Sequence, residues 1–195
     1  VTTFVLATAN PHKTEEIRQV LSSVNVELLP RPSEVPDVDE TADTLEGNAL
    51  LKAHALARAT GVAAIADDTG LFIDALGGAP GVYSARYAGE HASFDDNVNK
   101  VLRELDGVDD TERSARFRTV IAVASPDGSQ WVVDGAVEGV ILSTPRGEHG
   151  FGYDPIFAPR GAGGRSLAEL SSEEKNAISH RGNALRAFAS KLELA

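Results

Sequence analysis

The chain has 195 residues and a formal charge of −11, with 29 acidic side chains against 18 Lys and Arg, and it contains no cysteine. That length can bury a substantial core, the missing cysteine removes both disulfides and a thiol nucleophile, and the acidic balance argues against a broad nucleic-acid-binding face. No window holds the roughly 18 continuous apolar residues of a membrane-spanning helix, so a cytoplasmic protein with no membrane and no stable nucleic-acid partner is expected.

In chain order, the opening VTTFVLATAN lacks the features of a signal peptide, and Thr3 to Ala7 reads as a buried strand. A helix is predicted from Pro11 to about Ser22, with Asn10 as its N-cap and Pro11 at the position where a missing N–H costs nothing. Val26 to Leu29 is a second strand, followed by a Pro- and Asp-rich loop from Pro30 to about Asp43. Asp43 and Glu46 have capping-box spacing before a helix whose Leu45, Ala49, Ala53 and Leu56 share one face, and Gly61 is its predicted stop. Val62 to Ala66 is a nearly all-apolar strand of the kind covered on both faces, and it runs into Asp67 and Asp68. Phe94 to Leu105 suggests another helix. Phe117 to Ala124 and Trp131 to Leu142 form a predicted hairpin around Pro126, Asp127 and Gly128, and a C-terminal helix carries the stripe Leu185, Phe188, Ala189 and Leu192. Pro and Gly never gather into a linker, so residues 1–195 read as a single two-lobed unit. Helix–strand alternation with a long hairpin favours an α/β fold on a mixed sheet over a purely parallel one.

Several residues look chemical. Lys13 lies in the first turn of its helix, where its charge opposes the positive helix end, yet it projects toward the core-facing side. An anion between it and the helix N–H groups would explain that placement, with Thr8 and Asn10 as further contacts. Capping by Asn10 and a snorkelling lysine explain it equally. Lys52 falls beside Leu45 and Leu56 rather than on the wet face, one turn after Asn48. Asp67 and Asp68, expected just beyond the C-terminal edge of the apolar strand, occupy the usual position of an α/β active site. As neighbours in an extended segment they point in different directions and need not share a task. Glu40 and Glu46 are further candidates for a hard oxygen-ligand metal site. The stretch LGGAPGVYSARY has three glycines and Arg86, and matches neither a P-loop nor a dinucleotide fingerprint. Phe151, Tyr153 and Asp154, with Lys175, Ser179, His180 and Arg181, supply the mixture of aromatic area and fixed polar groups that a nucleobase pocket needs, although Tyr153 in the core and His180 at a helix end is the simpler reading. Ser84 and Ser179 sit in no nucleophile elbow, and the five histidines have no zinc-ligand spacing.

The blocks LATANPHKTEEI (Leu6 to Ile17), NALLKAHALA (Asn48 to Ala57), AIADDTGLFIDALGGAPGVYSARYAG (Ala64 to Gly89), FGYDPIF (Phe151 to Phe157) and SHRGNALRAF (Ser179 to Phe188) span nearly the whole chain. In this order they resemble the Ham1/RdgB-type inosine triphosphate pyrophosphatases. The resemblance implies an elongated mixed α/β fold with two lobes around a central substrate cleft, assembled as a homodimer. It also implies Mg²⁺-dependent hydrolysis of noncanonical purine nucleoside triphosphates (ITP, dITP, XTP) to the monophosphate and pyrophosphate. Carried onto the matching positions, it makes Thr8, Asn10, Lys13 and Lys52 triphosphate contacts, with Arg86 supporting the cleft or a phosphate. Glu40 and Asp68 become the metal carboxylates, Asp68 also the water-activating catalytic group, and Phe151, Tyr153, Asp154, Lys175, His180 and Arg181 the base site. Glu46 is followed by Gly47 before Asn48, where many relatives place Glu directly before the asparagine, so no role passes to Glu46. Thr69 replaces a frequent serine and keeps the hydroxyl. A Maf-like pyrophosphatase of other modified nucleotides and a noncatalytic nucleotide sensor are the competing readings.

Overall fold

The computed structural model describes residues 1–194. Its strands are β1 (Thr2–Leu6), β2 (Val26–Leu29), β3 (Ala64–Ile73), β4 (Pro80–Gly81), β5 (Ser114–Ala124), β6 (Gln130–Ile141) and β7 (Phe157–Pro159). The helices are α1 (Pro11–Val20), α2 (Leu45–Thr60), α3 (Phe94–Glu104), α4 (Ser172–Ile178) and α5 (His180–Glu193), joined by short 3₁₀ turns. The strands make one open seven-stranded sheet in the order β2-β1-β3-β5-β6-β7, with β4 paired to β3. β1 runs parallel to β2 and β3, while β4 on β3 and β7 on β6 are antiparallel, so the predicted mixed α/β sheet is the one observed. β5 and β6 are joined by residues 125–129, too few for a parallel crossover, and therefore form the expected hairpin. Among the described residues no helix is long and apolar enough to cross a membrane.

The chain divides into two compact units whose boundaries fall inside β3, β5 and β6 and after the first residue of α5. The first comprises Val1–Asp68, Thr119–Gly135 and Arg181–Ala195. Its core joins Phe4 and Leu6 of β1, Ile17 of α1, Ile65 of β3, Ile121 and Val123 of β5, and Leu185 and Phe188 of α5, all at most 3 % exposed. Trp131 stacks on Phe188 with centroids 5.5 Å apart, and Phe4 meets the same ring edge-on at 5.7 Å. The apolar stripe predicted for the C-terminal helix is therefore the face that α5 buries, with Ala189 and Leu192 partly buried beside it.

The second unit comprises Thr69–Arg118 and Ala136–His180. Leu71 and Ile73 of β3, Val98 and Val101 of α3, Phe117 of β5, and Phe157 form its core with Ile156 and Leu167. Phe117 packs edge-on against Phe157 at 4.8 Å and stacks on the His180 ring at 4.5 Å.

Two sequence expectations are corrected. The helix expected to be capped by Asp43 starts one residue later. Thr44 is extended, its hydroxyl accepts from the Gly47 N–H at 3.0 Å, and Thr44 is thus the cap of α2. Its other features stand: Leu45, Ala49, Ala53 and Leu56 are at most 2 % exposed, and Gly61 closes the helix in the left-handed region at φ 68°. The apolar strand expected to stop at Ala66 continues to Ile73, so Asp67 and Asp68 lie within β3 rather than past its end. A strand tolerates two buried carboxylates only where partners compensate their desolvation, and both aspartates have such partners. The functional placement survives through β1, which pairs with β3 only as far as Leu6 opposite Ile65. Asp67 and Asp68 therefore lie beyond the C-terminal end of the neighbouring strand.

Candidate functional site

In the first unit, four residues separate the end of β1 at Leu6 from the start of α1 at Pro11, and this junction places Lys13 beside Asp67 of β3. Asn10 Oδ1 accepts from the N–H groups of His12 (2.9 Å) and Lys13 (3.4 Å), and its own N–H donates to Thr8 Oγ1 at 3.1 Å. Capping is thus the resting task of Asn10. Lys13 Nζ lies 3.0 Å from Asp67 Oδ2, and Arg181 of α5 reaches the same oxygen at 3.2 Å. Arg181 also donates to Glu16 Oε2 of α1 at 2.5 Å. Arg181, 2 % exposed, therefore ties together α1, β3 and α5 within this unit.

On the opposite face of β3, Lys52 of α2 donates to Glu40 Oε1 at 2.7 Å and to Asp68 Oδ1 at 3.1 Å. The period of two along a strand explains why consecutive aspartates hold different lysines. Asn48, one turn before Lys52, is fully buried and accepts from the Ala42 N–H at 2.9 Å, which fixes the loop that carries Glu40. Asn48 Nδ2 and Asp68 Oδ2 are buried with no hydrogen-bond partner. Buried polar atoms in folded proteins are normally satisfied, so these two are open to an ordered water or a ligand as their partner.

The electrostatics separate the two aspartates. Burial alone would raise Asp67, but Lys13 and Arg181, with Lys52 behind them, hold it well below the ordinary carboxylate range. Asp67 is shared by more than one cation, so Lys13 is left lowered, by burial first and then by Arg181 and Lys52 against the pull of Asp67. Asp68 is raised, by burial and by Glu40, against the opposing charge of Lys52. Lys52 is raised because Asp68, Asp67 and Glu40 together overcome its desolvation.

A cavity of about 240 Å³ opens on this arrangement, lined by Thr8, Asn10, Lys13, Glu40, Lys52 and Asp67, and by Arg31, Val35 and Asp37 of the loop after β2. Nothing in the sequence marks Arg31 or Glu16. Arg31 sits in a loop with no periodic signal, and Glu16 reads as one more exposed helix acid until Arg181 is known to need it. The cations Lys13, Arg31, Lys52 and Arg181 are outnumbered by the carboxylates paired with them, Glu16, Asp37, Glu40, Asp67 and Asp68. Such a set gains no net charge on which to hold a polyanion alone. Glu40 and Asp68 converge on one point, Lys52 Nζ, and offer hard oxygen donors, one of them unused. That donor set fits a divalent cation of the kind that binds through one or two carboxylates and completes its shell with water and phosphate oxygens.

In the second unit, the Asp154 carboxylate accepts from the Phe151 N–H at 2.9 Å and from Lys175 Nζ at 2.6 Å. Lys175 Nζ also lies 4.9 Å from the centroid of the Phe151 ring. Phe151, Asp154 and Lys175 thus form one cluster. Tyr153 is in the core, 5 % exposed, with its hydroxyl donating to Ser84 O at 2.8 Å, and burial pushes that phenol up. Ser84 is occupied there too, donating to Gly81 O at 2.6 Å. His180, 3 % exposed, stacks on Phe117, so its ring plane is fixed. Arg86 lies in a 3₁₀ turn, 4.0 Å from Glu90 and over the ring of exposed Tyr83.

Gly150 shows how tightly the cluster is built. Its φ is +74°, and a Cβ there would overlap Asp154 Oδ2, an oxygen already held by Lys175 and Phe151. Gly150→Ala is expected to displace Asp154 from Lys175 and Phe151 and to cost about 1–3 kcal/mol of stability. Urea unfolding of the variant measures this, and unchanged stability would show that the cluster accommodates a Cβ.

The sequence model of the Ham1 family matches residues 4–191. The dITP/XTP pyrophosphatase of Streptomyces avermitilis is 48 % identical over 193 residues, covering 95 % of this chain and 94 % of the relative. That of Bacillus subtilis is 47 % identical over 191 residues, covering 97 % and 96 %. Among solved structures, a HAM1 protein from Coxiella burnetii superposes with a TM-score of 0.91 at 43 % identity, covering all of both chains. The nucleoside-triphosphatase / dITP/XTP pyrophosphatase from Mycobacterium abscessus gives a TM-score of 0.76 at 44 % identity over 96 % and 97 %.

Proposed function

The chain belongs to the Ham1 family, and from that premise we propose that it hydrolyses noncanonical purine nucleoside triphosphates, ITP, dITP and XTP, to the monophosphate and pyrophosphate. The observation that carries the reading is the pairing of Glu40 and Asp68 on Lys52, with Glu40 and Lys52 lining one cavity together with Thr8, Asn10 and Lys13. Thr8, Asn10, Lys13 and Lys52 take the triphosphate, and Arg86 supports a phosphate. Phe151, Asp154, Lys175, His180 and Arg181 read the base, and Tyr153 supports them from the core. Of these, Arg181 acts at least as much through Asp67 and Lys13 as through the substrate.

Glu40 and Asp68 would hold Mg²⁺, which when bound supplies charge neutralisation at the phosphate oxygens. Every other part of the chemistry falls to the chain. Lys13 and Lys52 offset the charge that develops as the phosphoryl group is transferred. Asp68 orients a water molecule and accepts its proton. The water oxygen bonds to the α-phosphorus, and the electron pair of the breaking P–O bond leaves with pyrophosphate. A carboxylate raised by burial suits this task, because a base closer to the working pH is the better proton acceptor. The two units act as the lobes of one enzyme, a cytoplasmic homodimer.

Base choice follows from unmatched polar groups. Hypoxanthine and xanthine present a 6-oxo edge where adenine has an amino group, and guanine adds a 2-amino group, so a buried polar site rejects the wrong edge by leaving donors unpaired. With purified protein and Mg²⁺, ITP is expected to give IMP and pyrophosphate, with kcat/KM for GTP and ATP lower by about a hundredfold or more. IDP and phosphate as products would overturn the reaction, equal values for ITP and GTP would overturn the discrimination, and binding of ITP without any product would leave a sensor.

A further inference from the structure

Of the three cations lining the 240 Å³ cavity, Lys13, Lys52 and Arg31, only Arg31 is given no task by the function proposed above. It donates to Asp37 Oδ1 at 2.5 Å and to Val35 O at 2.9 Å. The pair is lopsided, with the Arg31 side chain 14 % exposed and that of Asp37 89 % exposed. A carboxylate that stands in water holds its cation weakly, since solvent screens the attraction and hydrates the carboxylate when it lets go. Arg31 is a largely buried guanidinium whose acidic partner is cheap to exchange. Its fork has five N–H donors, more than these two bonds use, in a geometry that matches a phosphate with two parallel contacts.

Its position says which phosphate. Arg31 also lines an adjoining cavity of about 520 Å³ with Thr8, Ala9 and Thr14, whereas Glu40, Lys52 and Asp67 line the first cavity alone. Arg31 therefore stands on the Thr8 side, away from the carboxylates where water attack on the α-phosphorus is placed. A triphosphate with its α-phosphorus near those carboxylates has its terminal groups on the Arg31 side.

We propose that Arg31 is a receptor for the β- and γ-phosphates, exchanging Asp37 for phosphate oxygens when substrate enters and holding pyrophosphate after cleavage. This rests on the α-attack reading above and extends it to the leaving group. Asp37 is then a competitor for the arginine, and its removal acts with the opposite sign to removal of Arg31.

The test is calorimetric titration of the full-length protein with inorganic pyrophosphate in Mg²⁺, and separately with IMP, for wild type, Arg31→Gln and Asp37→Asn. Arg31→Gln is expected to weaken pyrophosphate about ten- to a hundredfold, the loss of a charge-assisted contact, with IMP affinity unchanged. Asp37→Asn is expected to tighten pyrophosphate. Weakening of pyrophosphate by both variants would mean that the pair merely pins the loop, and would overturn the proposal. Unchanged pyrophosphate binding in Arg31→Gln, equal weakening of IMP, or no pyrophosphate binding by the wild type would overturn it too. If Arg31→Gln does not fold, the sign of the Asp37→Asn effect decides alone. Product analysis with ITP on the same wild-type preparation separates failure of this proposal from failure of the reaction beneath it.

Discussion

Asp68→Asn is expected to fold normally and to lower kcat for ITP by about 10²- to 10⁴-fold, the range a positioned general base supplies. Asparagine keeps the shape and can still meet Lys52, which retains Glu40 at 2.7 Å. What disappears is an oxygen able to take a proton, at a residue 6 % exposed whose Oδ2 has no hydrogen-bond partner. Stability should stay close to wild type for a physical reason. An acid whose folded-state pKa is raised, as burial and Glu40 raise Asp68 against Lys52, costs the folded state free energy once pH exceeds its unfolded value, so deleting that charge removes a cost. The loss of attraction for Lys52 offsets part of that gain. Thermal unfolding and single-turnover kinetics on the same variant check both halves, and near-normal turnover in a folded protein would remove Asp68 from the chemistry.

Asp67→Asn is expected to do the reverse, costing about 3–5 kcal/mol of stability, the usual result of removing one partner from a buried ion pair. Lys13 and Arg181 both lie on Asp67 Oδ2, and the substitution leaves two cations, one 2 % exposed, around a neutral amide. The pH dependence has a definite sign. Asp67 is held below its ordinary value by Lys13 and Arg181 against its own burial. Its contribution is therefore complete above the unfolded carboxylate pKa of about 3.9 and is lost as pH falls from there through the lower folded value. Urea unfolding should show the full gap between wild type and Asp67→Asn at pH 7, narrowing below about pH 4. A gap that is small at neutral pH, or constant into acid, would show that the network does not depend on the Asp67 charge.

These two neighbours also show what a sequence can and cannot say about such a site. That both aspartates matter was legible from an apolar run ending in two acids, and that they differ was legible from the alternation of side chains along a strand. Their division of labour was not, because it depends on Arg181, which is 114 positions away in sequence. Family resemblance assigns Arg181 to the base contacts, and no pattern in the sequence signals that its guanidinium also donates to Asp67 and Glu16. Helix faces were the most legible feature of the fold. The stripes of α2 and α5 follow from a period of 3.6 and are buried as read. Ends were less so. Asp43 and Thr44 are both good caps, and only the observed backbone, extended at Thr44, chooses between them. Two adjacent aspartates look like a strand terminus in sequence, and only the lysines that compensate them explain why β3 continues to Ile73. Arg31 was invisible for the opposite reason, since a loop arginine among prolines has no pattern to mark it and gains meaning only from the cavity it lines.

The most direct measurement of the central claim is the position of solvent oxygen in the products. Hydrolysis of ITP in ¹⁸O-labelled water, followed by mass spectrometry, is expected to place the label in the phosphate of IMP and none in pyrophosphate, because the water activated by Asp68 bonds to the α-phosphorus. Label in pyrophosphate would move the attack to the β-phosphorus, and release of labelled inorganic phosphate would move it to the γ-phosphorus. Either result would contradict the assignment of Asp68, Glu40 and Lys52 to the α-phosphate.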